Sequence, residues 1–148
     1  MPTWSKAHRS GSHARSVARK LALQALYQLQ INTGPWQDVV CDFAQAEDMP
    51  KADREYFTEI VREVAQSRES LDARLAAWTD RPPAELDPVE HAVLLVGTWE
   101  LAQRPDVPYR VVISEAVTLT RRFGATEAHK FVNAVLDRAA RELRPHEH

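Results

Sequence analysis

The chain has 148 residues, 27% of them charged and 44% hydrophobic, with a formal net charge of −2. That length suffices for one domain with a sizeable core, or two small subdomains sharing one. A single cysteine, Cys41, excludes an internal disulfide framework and a cysteine-rich zinc site. The small net charge hides an asymmetry. Lys6, Arg9, Arg15, Arg19 and Lys20 fall within residues 1–20, which contain no Asp or Glu, whereas the rest of the chain holds 14 basic and 21 acidic residues. One end can therefore meet an anion such as nucleic acid, and the body a basic partner; a merely solubilising tail is the plain alternative. With no apolar stretch resembling a signal peptide, a reducing, cytoplasmic setting is expected.

Only four glycines occur and strand-like alternation is absent, so the expected class is all-α. Residues 1–13 are polar and read as a flexible basic tail. A helix is expected from about Ala14 to Asn32, stopped by Thr33-Gly34-Pro35, with Ala18, Leu21, Ala22, Ala25, Leu26 and Leu29 on its core stripe. Tyr27 points away from that stripe, into a sector with Ser16, Lys20 and Leu23 and with Arg19 at its edge. An exposed aromatic beside cations suits unstacked bases. Alternatively, a further helix covers Leu23 and Tyr27 and makes both core.

Trp36, Val39, Val40, Phe43 and Ala44 predict a short second helix, ended by Glu47 to Pro50. Ala52, Tyr56, Phe57, Ile60, Val61, Val64 and Ala65 predict a third after Asp53. Leu71, Leu75 and Trp78 continue the pattern after a break near Ser67 to Ser70. Arg81-Pro82-Pro83 must interrupt helical structure and is the expected subdomain junction.

The run Pro88 to Ala102 is apolar on nearly every side, so a helix there must be buried. Asp87 is a suitable N-cap, Pro88 suits the first turn, and Glu90 would complete a capping box. The stretch is too short and polar to span a bilayer. After the loop Arg104 to Pro108, Tyr109, Val112, Ala116, Leu119 and Phe123 share one face of a helix ending at Gly124, expected as a left-handed cap. Thr126 is then the expected cap of a last helix burying Ala128, Val132, Val135, Leu136, Ala139 and Leu143. Its far side carries Lys130, Asn133, Asp137 and Arg141, with Phe131 on the border between core and solvent. A rim aromatic flanked by Lys130 and Asn133 can stack a base and read its edge, or simply finish a core.

No glycine-rich phosphate loop, H-E-x-x-H, C-x-x-C or G-x-S-x-G occurs. His91 and His129 lack a ligand set, and His146-Glu147-His148 reads as a mobile tail. No cofactor or metal is expected, and no enzyme activity.

Ala18 to Tyr27, Val107 to Ala116, Phe123-Gly124-Ala125 and His129 to Asp137, in this order and spacing, closely resemble the NusB family of transcription antitermination proteins. The resemblance covers roughly Ala14 to Pro145. It implies about seven helices in two small bundles, forming a compact domain over 14–145. It also implies a small RNA-binding factor that pairs with NusE, a protein of the small ribosomal subunit. Together they would bind the single-stranded boxA element of ribosomal RNA leaders and help RNA polymerase read through terminators. By the same resemblance Arg15, Arg19 and Tyr27 face RNA, as do Lys130, Phe131 and Asn133, while Glu90 meets NusE at an exposed first turn; Lys6, Arg9 and Lys20 are the expected substitutes for arginines that this chain lacks. The chain has Arg15-Ser16-Val17 where some members have three consecutive arginines. Each missing phosphate contact lowers the salt slope by roughly one unit, so weak RNA binding without the partner is expected. Two other readings remain. One is a protein-only adaptor or homodimer whose Tyr27 and Phe131 anchor an interface. The other is an RNA methyltransferase, since such a domain precedes some catalytic domains; the chain's 148 residues leave little room for one.

Overall fold

The computed structural model describes residues 3–147, with side chains from residue 12 onward. Among these, seven α-helices and no strand occur, in agreement with the all-α expectation: α1 (Thr3–Ile31), α2 (Trp36–Phe43), α3 (Arg54–Gln66), α4 (Arg68–Ala76), α5 (Pro88–Gln103), α6 (Tyr109–Phe123) and α7 (Ala128–Leu143). Three short 3-10 turns, Met49–Lys51, Pro83–Glu85 and Pro145–Glu147, join or follow them. Helix α1 starts at Thr3, not near Ala14. Residues 3–13 contain no proline, and one interior glycine costs only about 1 kcal/mol. The expectation of a flexible 1–13 tail falls largely outside the described side chains.

The chain divides into two compact units, Met1–Ala65 and Gln66–His148. The junction thus lies at the end of α3, not at Arg81-Pro82-Pro83. The physical reason is that α4 packs on α5 and on the Pro83–Glu85 turn. His91 and Asp72 join α4 to α5 through a 2.6 Å hydrogen bond, and Arg138 donates to the Trp78 carbonyl at 3.3 Å. The prolines break a helix here without separating the two sides.

In the first unit, α1 packs on α2 and on the Met49–Lys51 turn. Ala18, Leu21, Ala22, Ala25 and Leu26 are buried as the stripe requires, and so is Leu23. Asp53 caps α3, its carboxylate accepting from the Tyr56 N–H at 3.0 Å, while its own N–H donates to the Ala14 carbonyl at 2.9 Å.

In the second unit, α5 is central. Every residue from Glu90 to Leu101 is buried, and α4, α6 and α7 all pack on it. A Cβ on Gly97 would lie 2.9 Å from both δ-carbons of Leu136, so α7 comes close to α5 there. Asp87 caps α5 by accepting from the Val89 N–H at 2.9 Å; Glu90 makes no return bond, so the expected reciprocal box is only half formed. At the other end Arg144, 7% exposed, acts as a cap. Its guanidinium donates to the carbonyls of Leu101 (2.8 Å), Glu100 (3.1 Å), Arg104 (2.8 Å) and Val107 (3.0 Å), and pairs with Glu147. Carbonyls at a helix end commonly lack intrahelical partners, and a cation there also complements the helix dipole; those of Glu100 and Arg104 accept in addition from the N–H groups of Arg104 and Val107.

Three further expectations change. Gly124 is extended (φ −93, ψ 179), so it is not a left-handed cap. Glycine is needed because a Cβ would lie 2.8 Å from the Thr120 carbonyl oxygen. The left-handed residue is Glu127 (φ 71), which precedes α7 in place of Thr126 and makes no side-chain cap bond. Lastly, Glu147 is no loose tail: besides Arg144, its carboxylate accepts from the Tyr109 N–H at 3.0 Å. It thus caps the start of α6, where Pro108 has no side chain to do so. His148 lies outside the described residues.

Candidate nucleic-acid interface

The expected cations of α1 are engaged within their own unit. Arg15 lies 3.8 Å from Asp53 and 4.5 Å from the centroid of the Tyr56 ring. Arg19 is 4% exposed, with its guanidinium 5.5 Å from the same ring. Lys20 forms an ion pair with Asp48 and its side chain is only 14% exposed. The helical wheel gives the direction of these side chains but not what stands opposite. The segment from Asp48 to Tyr56 turns the expected open sector into a seam of cations, carboxylates and one aromatic face. Leu23 falls within this buried side.

Tyr27 is different. It is 40% exposed, and Ile31, one turn further on the same face, is 58% exposed. The covered alternative holds for Leu23 and fails for Tyr27. The sequence signal for Ile31 is an apolar residue four positions from Tyr27 and off the core stripe.

The second unit carries the residues of α7. Lys130 is exposed and pairs with Glu127 at 2.6 Å, an ion pair with both side chains mostly in water. Asn133 is exposed and has no hydrogen-bond partner among the described residues. Phe131 is half-buried, as the border position implies, and the Arg81 guanidinium lies 5.2 Å from its ring centroid. Arg81, read from sequence only as part of a helix break, therefore adds a cation to an aromatic platform.

Lys130 and Asn133 open onto a groove of about 660 Å³ between α6 and α7. Its α6 wall is formed by Tyr109, Arg110, Ile113, Ser114, Val117, Thr118 and Arg121. Tyr109, expected on the core face, is half-buried and lines this groove instead. Arg110 donates from Nε to the Tyr109 hydroxyl at 3.3 Å, and this bond raises its pKa above the ordinary value. The signal missed in sequence is a second stripe on α6, from Arg110 to Arg121 at helical spacing.

Glu90 departs from expectation in its surroundings. It is 8% exposed, so the first turn of α5 does not present it freely. Burial, together with the charge of Asp87, raises its pKa, and Arg81 partly offsets this. It has no hydrogen-bond partner among the described residues. A carboxylate held this way gains from an incoming cation. No group of three or more His, Cys, Asp or Glu side chains is placed to hold a metal among the described residues, and no described helix is long and apolar enough to cross a membrane.

Residues 16–141 match the model of the NusB family. The chain is 47% identical over 134 residues to the transcription antitermination protein NusB of Pseudoalteromonas atlantica, covering 90% of this chain and 96% of that protein. It is 48% identical over 131 residues to its namesake in Teredinibacter turnerae, covering 88% and 89%. Among solved structures, T. maritima NusB aligns with a TM-score of 0.77 and 26% identity, over 86% of this chain and 91% of that one. A chain of a crystal structure of the antitermination factors NusB and NusE in complex with dsRNA shares the fold, with a TM-score of 0.72 and 23% identity over 86% of this chain and 96% of that one.

Proposed function

The chain belongs to the NusB family, and from that premise we propose that it is a cytoplasmic transcription antitermination factor. With NusE it binds boxA RNA of ribosomal leaders and promotes read-through by RNA polymerase. No bond is made or broken in this role. The observation that carries the reading is the exposed pair Lys130 and Asn133 beside Phe131, on the rim of a groove that holds further cations. Lys130 neutralises phosphate, Phe131 stacks a base over the face that Arg81 leaves open, and Asn133 supplies a donor and an acceptor to a base edge.

The geometry shifts weight within the expected site. Arg15, Arg19 and Lys20 already have partners in their own unit, so they contribute to RNA mainly by long-range potential. Tyr27 with Ile31 forms an apolar exposed pair, which favours contact with a protein over a stacked base. NusE is the partner that Glu90 is proposed to meet. The pair of Tyr27 and Ile31 supports the second reading, a homodimer through the Tyr27 face.

Titration of labelled boxA RNA, single-stranded and as a duplex, with the chain alone and with NusE tests both. Cooperative binding in the mixture, lost in a Lys130→Ala, Phe131→Ala double variant, is expected. Equal binding by that variant overturns the proposed RNA site. Light scattering that shows a tight dimer indifferent to RNA and NusE favours the second reading.

A further inference from the structure

The α6 wall of the groove has no assigned role in the site described so far. Arg110, Ile113, Ser114, Val117, Thr118 and Arg121 follow one another at i, i+3, i+4, i+7, i+8 and i+11. They form a single stripe, separate from the buried Val112, Ala116 and Thr120. Its ends are cationic and its middle offers two hydroxyls. Arg110 and Arg121 are exposed, and Arg121 has no ion-pair partner among the described residues. The opposite wall brings His129, Lys130 and Asn133.

The lining contains no Asp or Glu, although acidic residues outnumber Lys and Arg in the chain by 21 to 19. Such local exclusion of carboxylates matches a polyanion and opposes a basic protein. Arg110 and Arg121 stand eleven residues apart, about 16 Å along the helix axis at 1.5 Å per residue. Over that span a stacked strand, at about 3.4 Å per phosphate, presents roughly five phosphates.

We propose that this outer stripe of α6 binds the RNA backbone: Arg110 and Arg121 each pair with a phosphate, Ser114 and Thr118 hydrogen-bond the strand between them, and Tyr109 offers its ring to a base. The RNA contacted at Lys130 and Asn133 thereby continues along the groove. This assignment rests on the RNA-binding function proposed above. Phosphate contacts add affinity without sequence preference, so the stripe holds the strand in place while the α7 residues read it.

The test is fluorescence anisotropy of labelled boxA RNA with the full chain and NusE, over a range of salt. Wild type is compared with an Arg110→Gln, Arg121→Gln double variant and with Lys130→Ala, Phe131→Ala. Both arginines are exposed, so the double variant should keep the wild-type circular dichroism and melting temperature. Losing two phosphate contacts on a single strand lowers the salt slope by about 1.4 and weakens binding roughly tenfold or more at 0.1 M salt. The loss should be equal for boxA and for a scrambled RNA. Unchanged affinity and slope in the arginine variant, with binding lost in the α7 variant, overturns the α6 path and leaves the proposed function standing. No RNA binding by wild type with NusE overturns both. Loss of NusE assembly with RNA affinity intact makes the groove a protein surface and also overturns the assignment.

Discussion

Replacing Arg144 by Met tests how far the second unit depends on one buried cation. The substitution keeps an unbranched apolar stem but removes five N–H donors. Four carbonyls lose a charged partner at 2.8 to 3.1 Å, and Glu147 loses its counter-ion. Net values of about 1.5–3 kcal/mol apply to a single hydrogen bond with a charged group, and bonds made by one guanidinium do not add. The cation's interaction with the α5 dipole contributes about 1 kcal/mol more. Water can reach part of the loop once the side chain is gone. A total loss of about 3 kcal/mol is therefore expected.

For a chain of this size each kcal/mol shifts the melting temperature by about 2–4 °C. Thermal melts followed by far-UV circular dichroism should show a fall of about 6–12 °C, with a matching drop in the urea midpoint. An Arg144→Lys variant keeps the charge but not the planar fork, and should recover less than half of the loss. A change below about 0.5 kcal/mol in Arg144→Met, or full recovery by Lys, would refute the claim that the fork caps α5.

Three further outcomes are expected. Gly124→Ala, tolerable in backbone conformation but placing a Cβ 2.8 Å from the Thr120 oxygen, should cost about 1–3 kcal/mol in chemical denaturation; a neutral result would refute the close approach. Arg19→Met should destabilise the chain by about 1–2 kcal/mol while reducing RNA affinity less than Lys130→Ala, which anisotropy and denaturation measure together. Because the folded-state pKa of Glu90 lies above its ordinary 4.5, the free protein loses stability as pH rises through that window, and Glu90→Gln should remove the loss. A cation from NusE would favour the ionised form, so wild-type affinity for NusE should rise with pH over the same window and stay flat in Glu90→Gln, as calorimetry across pH can check.

Local sequence was most informative where burial alone decides the outcome. The run from Val89 to Ala102 has no polar side to turn outward, so its central place follows from composition. The α7 stripe was equally legible, and Lys130 and Asn133 emerged on its exposed side. The engagement of Arg15, Arg19 and Lys20 was not legible because a wheel drawn for one helix cannot know that Asp53, Tyr56 and Asp48, far along the chain, will meet them. Gly124 was recognised as a stop for the wrong reason: spacing cannot separate a positive φ from a close approach. Glu147 was unreadable as a cap because its partners, Tyr109 and Arg144, come together only in the folded unit. The groove was hidden for a simpler reason, since a mixed stripe of arginines, hydroxyls and aliphatic residues matches neither a core face nor a charge run.

The two stripes of α6 also bear on how such a protein can change over generations. Val112, Ala116 and Thr120 are committed to the scaffold, and each alteration there risks the whole unit. Ser114, Thr118 and Arg121 are exposed and lie off that buried stripe. Mutations along the outer stripe can therefore retune ligand grip while leaving the fold nearly as stable as before, so drift in binding strength and retention of architecture can proceed on opposite sides of one helix.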